Sequence, residues 1–124
     1  MGDFKQLQAW QAAMDLVAEV YCQTDRFPVQ ERYGLQGQLR RATVSIAANI
    51  AEGTGKGADR EFVRYLRIAR GSASEVECLI QVAMRLEYLP VEAGRNLDAR
   101  VRSVSRLILA LQRSLACNPK PPGT

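Results

Sequence analysis

The chain of 124 residues contains no histidine, few aromatic residues and no long apolar run. The absence of histidine removes the commonest general base, the commonest zinc ligand and the usual partner of a serine or cysteine nucleophile. No run approaches the roughly 20 consecutive apolar residues that a transmembrane helix requires. The N-terminal residues also lack the apolar stretch of a secretory signal, so we expect a cytoplasmic protein.

Three cysteines, Cys22, Cys78 and Cys117, lie far apart in the sequence. Their number is odd, and no two of them have the C-x-x-C spacing of a metal or redox site. We interpret them as reduced thiols on or near helix faces, because disulfides are rare in the cytosol. The sequence therefore predicts no metal site, no cofactor and no disulfide framework.

Apolar residues recur in alternating steps of three and four, the spacing of one helix face, along four stretches of the chain. We predict helices from about Leu7 to residue 27, from about 31 to 52, from about 60 to 88 and from about 91 to 116. The predicted apolar rows are Leu7, Trp10, Met14, Val17, Tyr21; Leu35, Leu39, Ala42, Ile46, Ile50; Phe62, Leu66, Ala69, Ala73, Val76, Ile80, Ala83; and Leu97, Val101, Val104, Ile108, Leu111, Leu115.

The pattern also predicts how these helices are arranged. A repeat of 3.5 residues on a helix with 3.6 residues per turn imposes a left-handed supercoil. Short connections make sequential helices antiparallel neighbours, and no segment shows the sustained alternation of a strand. We predict an all-α, left-handed antiparallel up-down four-helix bundle as a single domain over residues 1–117. The proline-rich tail at 118–124 is predicted to be disordered.

The third helix carries a second apolar row beside the first. Its members are Tyr65, Ile68, Leu79, Val82, Leu86 and Leu89. This row must be covered either by another helix of the same chain or by another subunit. The sequence leaves both alternatives open, and the second is the first indication of a homo-oligomer.

Small and polar residues interrupt the apolar faces at a few positions. Gly71 stands in the middle of the third helix, where glycine costs about 1 kcal/mol relative to alanine, which is tolerable if another backbone approaches closely. Ser45 and Asn49 lie on or next to the apolar face of the second helix. A buried asparagine needs hydrogen-bond partners and can fix helix register. The alternative is that Asn49 lines a functional pocket.

Several motifs between about residues 4 and 90 carry a family resemblance. They are Trp10 to Leu16, Phe27-Pro28, Glu31 to Leu35, Gln38 to Ala42, Ser45-Ile46, Asn49 to Gly53, Glu61-Phe62, Leu66, Ala69 to Ala73, and Glu75. Together they resemble the bacterial four-helix bundle family of intervening-sequence proteins, some of which are encoded within large-subunit ribosomal RNA genes. The resemblance implies a bundle commonly assembled as a ring-shaped homopentamer, with no established enzymatic activity. More remotely, the chain resembles accessory proteins of diversity-generating retroelements, which bind nucleic acid and a reverse transcriptase.

One position departs from the family pattern. The family usually has serine where this chain has Ala58, three residues before Glu61, and the two form a capping box. Alanine has no side-chain acceptor, so we expect Asp59 to cap the third helix, one residue later.

We expect a structural or oligomerisation role for the polar and small residues of the motifs. These are Arg40, Arg41, Ser45, Asn49, Glu52, Arg70, Gly71, Ser72 and Glu75. Some of the arginines should form ion pairs within or between subunits. For Arg70 the candidate partners are Glu52 and Glu75.

The net charge of +4 is concentrated in the last part of the chain, because residues 91–124 contain six basic and two acidic residues. Helical periodicity places two arginine rows opposite the apolar rows. They are Arg95, Arg102, Arg106 and Arg113 on the fourth helix, and Arg60, Arg64, Arg67 and Arg85 on the third. Because the guanidinium group suits phosphate, these rows predict contact with a nucleic-acid backbone. The alternative is that they form an ordinary solvated face.

The sequence thus favours a non-enzymatic, homo-oligomeric bundle that binds RNA or DNA backbone through its arginine rows, without a membrane partner. The alternative is a protein–protein interaction module, for example for a reverse transcriptase or a ribosomal component, without nucleic-acid contact. A third hypothesis is a weak hydrolase using Glu52 or Asp59, which bracket a glycine-rich loop. No third group is evident to orient those carboxylates, so we predict no catalytic residue.

Overall fold

The computed structural model describes residues 3–116, which are helical and contain no strand. The four α-helices are α1 (Gln8–Thr24), α2 (Leu35–Thr54), α3 (Asp59–Arg85) and α4 (Val91–Ala116). Short 3-10 helices at Phe4–Gln6 and Val29–Glu31 precede α1 and α2. The prediction of an all-α chain with four helices is confirmed over this range, whereas the predicted tail at 118–124 lies outside it. No helix within residues 3–116 is long and apolar enough to cross a membrane.

Each helix packs against its neighbours in the chain, and α1 packs against α4. Within the described residues, no Cα atoms of the diagonal pairs, α1 with α3 and α2 with α4, lie within 8 Å of each other. The four helices therefore enclose one central core, and four grooves run along the outside between neighbouring helices.

Most of the core consists of residues from the apolar rows predicted for α2, α3 and α4, although Leu111 and Leu115 of the α4 row are only half-buried. Every member of the α3 row from Phe62 to Ala83 is at most 3% exposed. Leu39, Ile46 and Ile50 of α2 are fully buried, as are Leu97, Val101 and Ile108 of α4. Burial of each large aliphatic side chain contributes roughly 1.5–3 kcal/mol relative to exposure, so these three rows are the main stabilising feature of the fold.

The row predicted on α1 is wrong. The buried residues are Ala9, Ala13, Leu16, Val20 and Thr24. Met14 and Tyr21 of the predicted row are 41% and 42% exposed, and its other members are half-buried. Apolar residues cover a broad arc of α1, so two adjacent rows both have helical spacing. Close packing against α2 and α4 selects the row that contains the small alanines.

The second helix begins later than predicted, at Leu35 instead of residue 31. Residues 29–31 form the short 3-10 helix, and the backbone N–H of Leu35 donates to Glu31 Oε1 at 3.0 Å. The Glu31 side chain therefore satisfies one of the four N–H groups that lack a partner at a helix start.

The third helix ends at Arg85, three residues before the predicted end. Glu87 adopts a left-handed conformation with φ of 62°. The N–H of Tyr88 donates to the carbonyl of Ala83 at 2.9 Å, and the N–H of Glu87 donates to that of Met84 at 3.0 Å. These two bonds form a Schellman motif, in which the left-handed residue is usually glycine.

The predicted cap at the start of α3 is also wrong. Ala58 has the extended conformation of an N-cap residue, without a side-chain hydrogen bond, and Asp59 is the first residue of the helix. The carbonyl of Ala58 accepts the first helical hydrogen bond, from the N–H of Phe62 at 3.0 Å. Because buried Phe62 fixes the first turn, the helix begins at Asp59. The carboxylates of Asp59 and Glu61 lie in that turn, where they stabilise the helix dipole.

Candidate nucleic-acid interface

Exposed arginines lie on the outward sides of the neighbouring helices α3 and α4, opposite their core rows, and we name this set the α3–α4 arginine face. Its members are Arg60 and Arg67 of α3 and Arg95, Arg102, Arg106 and Arg113 of α4, all exposed. They point away from the core because seven-residue steps keep side chains on one side of a helix. Arg64 is also exposed on α3, between Arg60 and Arg67.

Carboxylates neutralise only two of these arginines. Arg102 Nε lies 3.5 Å from Glu77 Oε1 of α3 and 3.2 Å from Asp98 Oδ2 of α4. Arg64 Nε lies 3.5 Å from Glu61 Oε1. Within residues 3–116, no carboxylate lies within 4.0 Å of the other six arginines of the two predicted rows, which are Arg60, Arg67, Arg85, Arg95, Arg106 and Arg113.

A concavity of about 490 Å³ lies at one end of this face, between the start of α3 and the end of α4. Three arginines, Arg60, Arg64 and Arg67, line it together with two acidic residues, Asp59 and Glu61. Its basic residues outnumber the acidic ones, which favours an anionic ligand over a cationic one.

No aromatic ring is available for base stacking at this end. Tyr65 is the nearest ring along the helix, but the Arg64 guanidinium lies 4.8 Å from its centroid and the Lys56 ammonium lies 5.4 Å from it. A hydrogen bond from Lys56 to Glu52, together with Tyr65, raises the pKa of Lys56 above its usual value. Contacts here would therefore be made to phosphates and not to base faces.

The structure brings three of the predicted motif residues together between α2 and α3. Asn49 Nδ2 donates to the carbonyl of Ser45 at 2.8 Å and to its Oγ at 3.0 Å. Ser45 Oγ in turn lies 2.9 Å from Ser72 Oγ of α3. These bonds satisfy half-buried polar groups and link α2 to α3 at one height. Both hydrogen bonds of Asn49 stay within α2, and the link to α3 is made by Ser45.

Arg40 has a different environment, at the C-terminal end of α1. Its Nε donates to Thr24 Oγ1 at 2.9 Å, and its Nη2 donates to the carbonyl of Tyr21 at 3.1 Å. Its guanidinium lies 4.4 Å from the Tyr21 ring centroid, and Nη2 lies 3.9 Å from Asp25 Oδ1. A cation at this position satisfies the free carbonyls at the helix end.

The ion pairs suggested for Arg70 do not form within the described chain. Arg70 Nη1 donates to Gln112 Oε1 of α4 at 3.4 Å, whereas Glu52 pairs with Lys56 at 3.4 Å. Glu75 instead accepts from Gln38 Nε2 of α2 at 3.4 Å. Five residues separate Arg70 from Glu75, a rotation of about 140° around the helix, so the two side chains enter different grooves.

Gly71 lacks the close backbone approach that was expected to explain a glycine in the middle of α3. It is exposed, and within the described residues no atom lies within 4 Å of the place that a Cβ would occupy. No backbone of the same chain approaches it, so the expected close approach does not occur within one subunit. Arg41, the remaining motif residue, is exposed on α2.

Two acidic residues of the arginine face were not identified from the sequence. The spacing of Asp98 and Arg102, four residues apart, is the usual one for an ion pair on a helix. Glu77 gives no such signal, because its contact with Arg102 depends on how α3 packs against α4. Within the described residues, no group of three or more histidine, cysteine or acidic side chains is arranged to hold a metal ion.

Comparisons with known proteins agree with this architecture. Residues 5–110 match the model of a family described as 23S rRNA-intervening sequence protein, whereas no curated protein sequence matches the chain. Among solved structures, a similar one is a protein with unknown function from the S23 ribosomal protein family of Bacteroides thetaiotaomicron. Its TM-score is 0.78 at 19% sequence identity, over 85% of this chain and 95% of that chain. At that identity the similarity establishes the fold alone.

Proposed function

Because the chain belongs to the 23S rRNA-intervening sequence protein family, we propose that it is a non-enzymatic, homo-oligomeric bundle that binds nucleic-acid backbone through its α3–α4 arginine face. The observation that carries this proposal is the set of five exposed arginines without a carboxylate partner in the described chain. The planar guanidinium group binds phosphate oxygens bidentately, and neutralisation of phosphates by such groups drives binding to a nucleic-acid backbone.

In the proposed bundle, consecutive helices run in opposite directions around the core and supercoil with a left-handed twist. Contacts between neighbouring helices support the antiparallel arrangement, because residue numbers rise on one helix as they fall on the next. Gln38 contacts Glu75 and Ser45 contacts Ser72, whereas Gly53, further along α2, packs against Phe62 near the start of α3. The steps of three and four along each apolar row support the left-handed supercoil.

Self-association is proposed to use the side of the bundle that is centred on α2. Large apolar side chains remain exposed there on three helices. They are Met14 and Tyr21 of α1, Val44 of α2, and Ile68, Val82 and Leu86 of α3, each 38–50% exposed. We name this set the α2 apolar face. The second row of α3 is thus only partly covered by its own chain, since Leu79 and Leu89 are buried but its other large aliphatic members are not.

The α2 apolar face and the arginine row of α4 lie on diagonally opposite helices of the bundle. Subunits that meet through α2 would therefore leave the arginines of α4 exposed and repeat them around an assembly. In the ring-shaped homopentamer that the family resemblance implies, five copies of the row would add their contacts to phosphate.

The oligomer is tested by measuring absolute mass with light scattering. We expect a mass near five times the 13.8 kDa of one chain. Ile68→Glu should lower that mass, because it places a charge within the α2 apolar face. Val91→Glu is the matched control, since Val91 is 56% exposed at the end of the bundle, outside that face. A wild-type monomer would contradict this part of the proposal.

Nucleic-acid binding is tested by fluorescence anisotropy with unrelated RNA and DNA oligonucleotides. We expect binding at low salt that weakens steeply as salt rises and depends little on sequence. Lack of binding at low salt to every oligonucleotide would contradict the proposal. The carboxylates that bracket the glycine-rich loop support no enzymatic alternative, because Glu52 pairs with Lys56 and Asp59 stabilises the start of α3.

The second candidate function is a protein-interaction module, and the exposed apolar residues of the connecting segments favour it. Tyr33 and Val29, before α2, are 88% and 78% exposed. Residues of this kind are enriched in protein interfaces. This candidate predicts that the wild-type protein retains a protein partner in a pull-down after nuclease treatment. Tyr33→Ser should abolish that retention without changing the mass of the oligomer.

A further inference from the structure

The two carboxylates beside Arg102 divide the α3–α4 arginine face into two parts. Glu77 from α3 and Asp98 from α4 both contact the same guanidinium, and their side chains are 35% and 19% exposed. Two negative charges therefore surround one positive charge at this point. A phosphate approaching Arg102 would meet a net negative potential, since like charges repel at close range.

The larger part of the face lies on one side of this acidic pair. Arg70 contacts Gln112, which aligns α3 with α4 at that level. Arg60 lies ten residues before Arg70 on α3, and Arg106 lies six residues before Gln112 on α4. Because the two helices are proposed to be antiparallel, Arg60 and Arg106 lie in opposite directions from this contact. With a rise of 1.5 Å per residue, the arginines span roughly 24 Å. We name this part the cationic patch; it consists of Arg60, Arg67, Arg106 and Arg113.

The part beyond Arg102 is weaker. Arg95 lies about 10 Å further along α4, and Arg85 lies near it at the end of α3. The exposed carboxylates of Glu87 and Glu92 occupy the same end of the bundle. Charges of both signs balance there. The cationic patch contains four unpaired arginines beside two half-buried carboxylates, Asp59 and Glu61, and Glu61 is paired with Arg64.

Resting on the proposed function, we infer that the nucleic-acid site is the cationic patch alone, that its ligand is a double helix, and that Arg102 is excluded from it by Glu77 and Asp98. The patch is built on two packed helices, which fix the backbone positions of its arginines in two rows. A duplex presents phosphates in two rigid rows, and roughly 24 Å corresponds to about seven base pairs at about 3.4 Å each.

Single strands fit this surface less well. Binding of single-stranded nucleic acid usually combines a basic groove with aromatic rings on which bases stack. The patch contains no aromatic residue, and the adjacent ring of Tyr65 is already covered by Arg64 and Lys56. A flexible strand would also lose more conformational freedom on binding than a preformed duplex.

The test is fluorescence anisotropy with a duplex of about 20 base pairs and one of its single strands, over a series of salt concentrations. Arg106→Ala and Arg113→Ala should each weaken duplex binding several-fold and reduce the slope of log affinity against log salt by about 1. Arg100→Ala is the matched control, because Arg100 is exposed on the same helix but lines a concavity with Ala12 and Asp15 of α1, outside the α3–α4 arginine face. It should leave affinity and slope unchanged.

The opposite change provides a gain of function. Glu77→Gln combined with Asp98→Asn should free Arg102, raise duplex affinity several-fold and steepen the salt slope by about 1. Equal losses for Arg100→Ala and Arg106→Ala, or no gain for Glu77→Gln combined with Asp98→Asn, would overturn the assignment while leaving the proposed function in place. A single strand that binds as tightly as the duplex would overturn the choice of ligand. Absence of any binding by the wild-type protein would overturn both the inference and the proposed function.

Discussion

Glu31 and Tyr88 hydrogen-bond to each other across 57 residues and join two connections at one end of the bundle. Tyr88 donates through its hydroxyl to Glu31 Oε2 at 3.0 Å, while Glu31 Oε1 accepts from the N–H of Leu35 at 3.0 Å. The Tyr88 ring also packs on Phe27, with 5.5 Å between centroids. One carboxylate thus caps the start of α2 and attaches it to the segment that follows α3.

Replacing Glu31 by alanine should destabilise the protein by about 1–2 kcal/mol, because both the cap and the link are lost. Tyr88→Phe removes only the link and should have the smaller effect. Urea unfolding of the two single variants and the double variant gives the coupling between the residues. If the effects of the two substitutions were simply additive, the hydrogen bond would make no contribution.

The same pair predicts a dependence of stability on alkaline pH. The hydrogen bond to Glu31, followed by burial, raises the pKa of Tyr88 above its ordinary value of 10.0. The folded state then holds the hydroxyl proton where the unfolded state has lost it. The contribution to stability is therefore complete below pH 10 and is lost as pH rises through the folded-state pKa.

We expect the wild-type protein to lose more stability than Tyr88→Phe between neutral pH and pH values above about 10. The measurement is the urea midpoint as a function of pH. Tyr33→Phe is the matched control, because that side chain is 88% exposed, and it should follow the wild-type curve. Parallel curves for wild type and Tyr88→Phe would contradict the assigned role of the hydrogen bond.

The sequence was sufficient to predict the core rows of α2, α3 and α4, because each has one dominant apolar stripe. It was insufficient for α1, where the row of Met14 and Tyr21 and the row of Ala13 and Leu16 have the same spacing. Periodicity measures which residues share a face, but the choice between adjacent faces depends on the neighbouring helices. The larger side chains suggested the wrong row, and the smaller ones fill the core.

For the arginine rows, too, the sequence predicted what depends on one helix but not what depends on the packing of two helices. Helical spacing correctly predicted that Arg106 and Arg113 are exposed, since this follows from one helix alone. It could not identify Glu77 as a partner of Arg102, because that contact requires the alignment of α3 with α4. Arg70 was assigned two acidic candidate partners, Glu52 and Glu75, whereas its observed partner is Gln112 on the next helix.

The left-handed residue at the end of α3 predicts a stabilising substitution. Glu87 has φ of 62°, a conformation that is unfavourable for a residue with a Cβ. Glu87→Gly should stabilise the protein by about 1 kcal/mol. Glu87→Ala is the control, because it removes the carboxylate but retains the Cβ. If both variants changed the urea midpoint equally, the effect would come from charge and not from backbone conformation.

Two helical glycines should respond in opposite ways to alanine. At Gly53 a Cβ would lie 2.8 Å from Cδ1 of Phe62 and 3.0 Å from Cβ of Tyr65. Phe62 is buried and cannot move away, so Gly53→Ala should destabilise the fold by about 1–3 kcal/mol. At Gly71 the space is open, so Gly71→Ala should stabilise α3 by about 1 kcal/mol through helix propensity.

The Gly71→Ala variant also tests whether another subunit approaches α3 at this position. Unfolding in urea reports the propensity gain, whereas light scattering of the folded variant reports assembly. A stabilised protein of unchanged mass would place Gly71 outside the subunit contacts. A lower mass would mean that the added methyl group meets a neighbouring subunit, since nothing in the described part of its own chain lies close enough to meet it. A variant less stable than wild type, with unchanged mass, would contradict the prediction of open space.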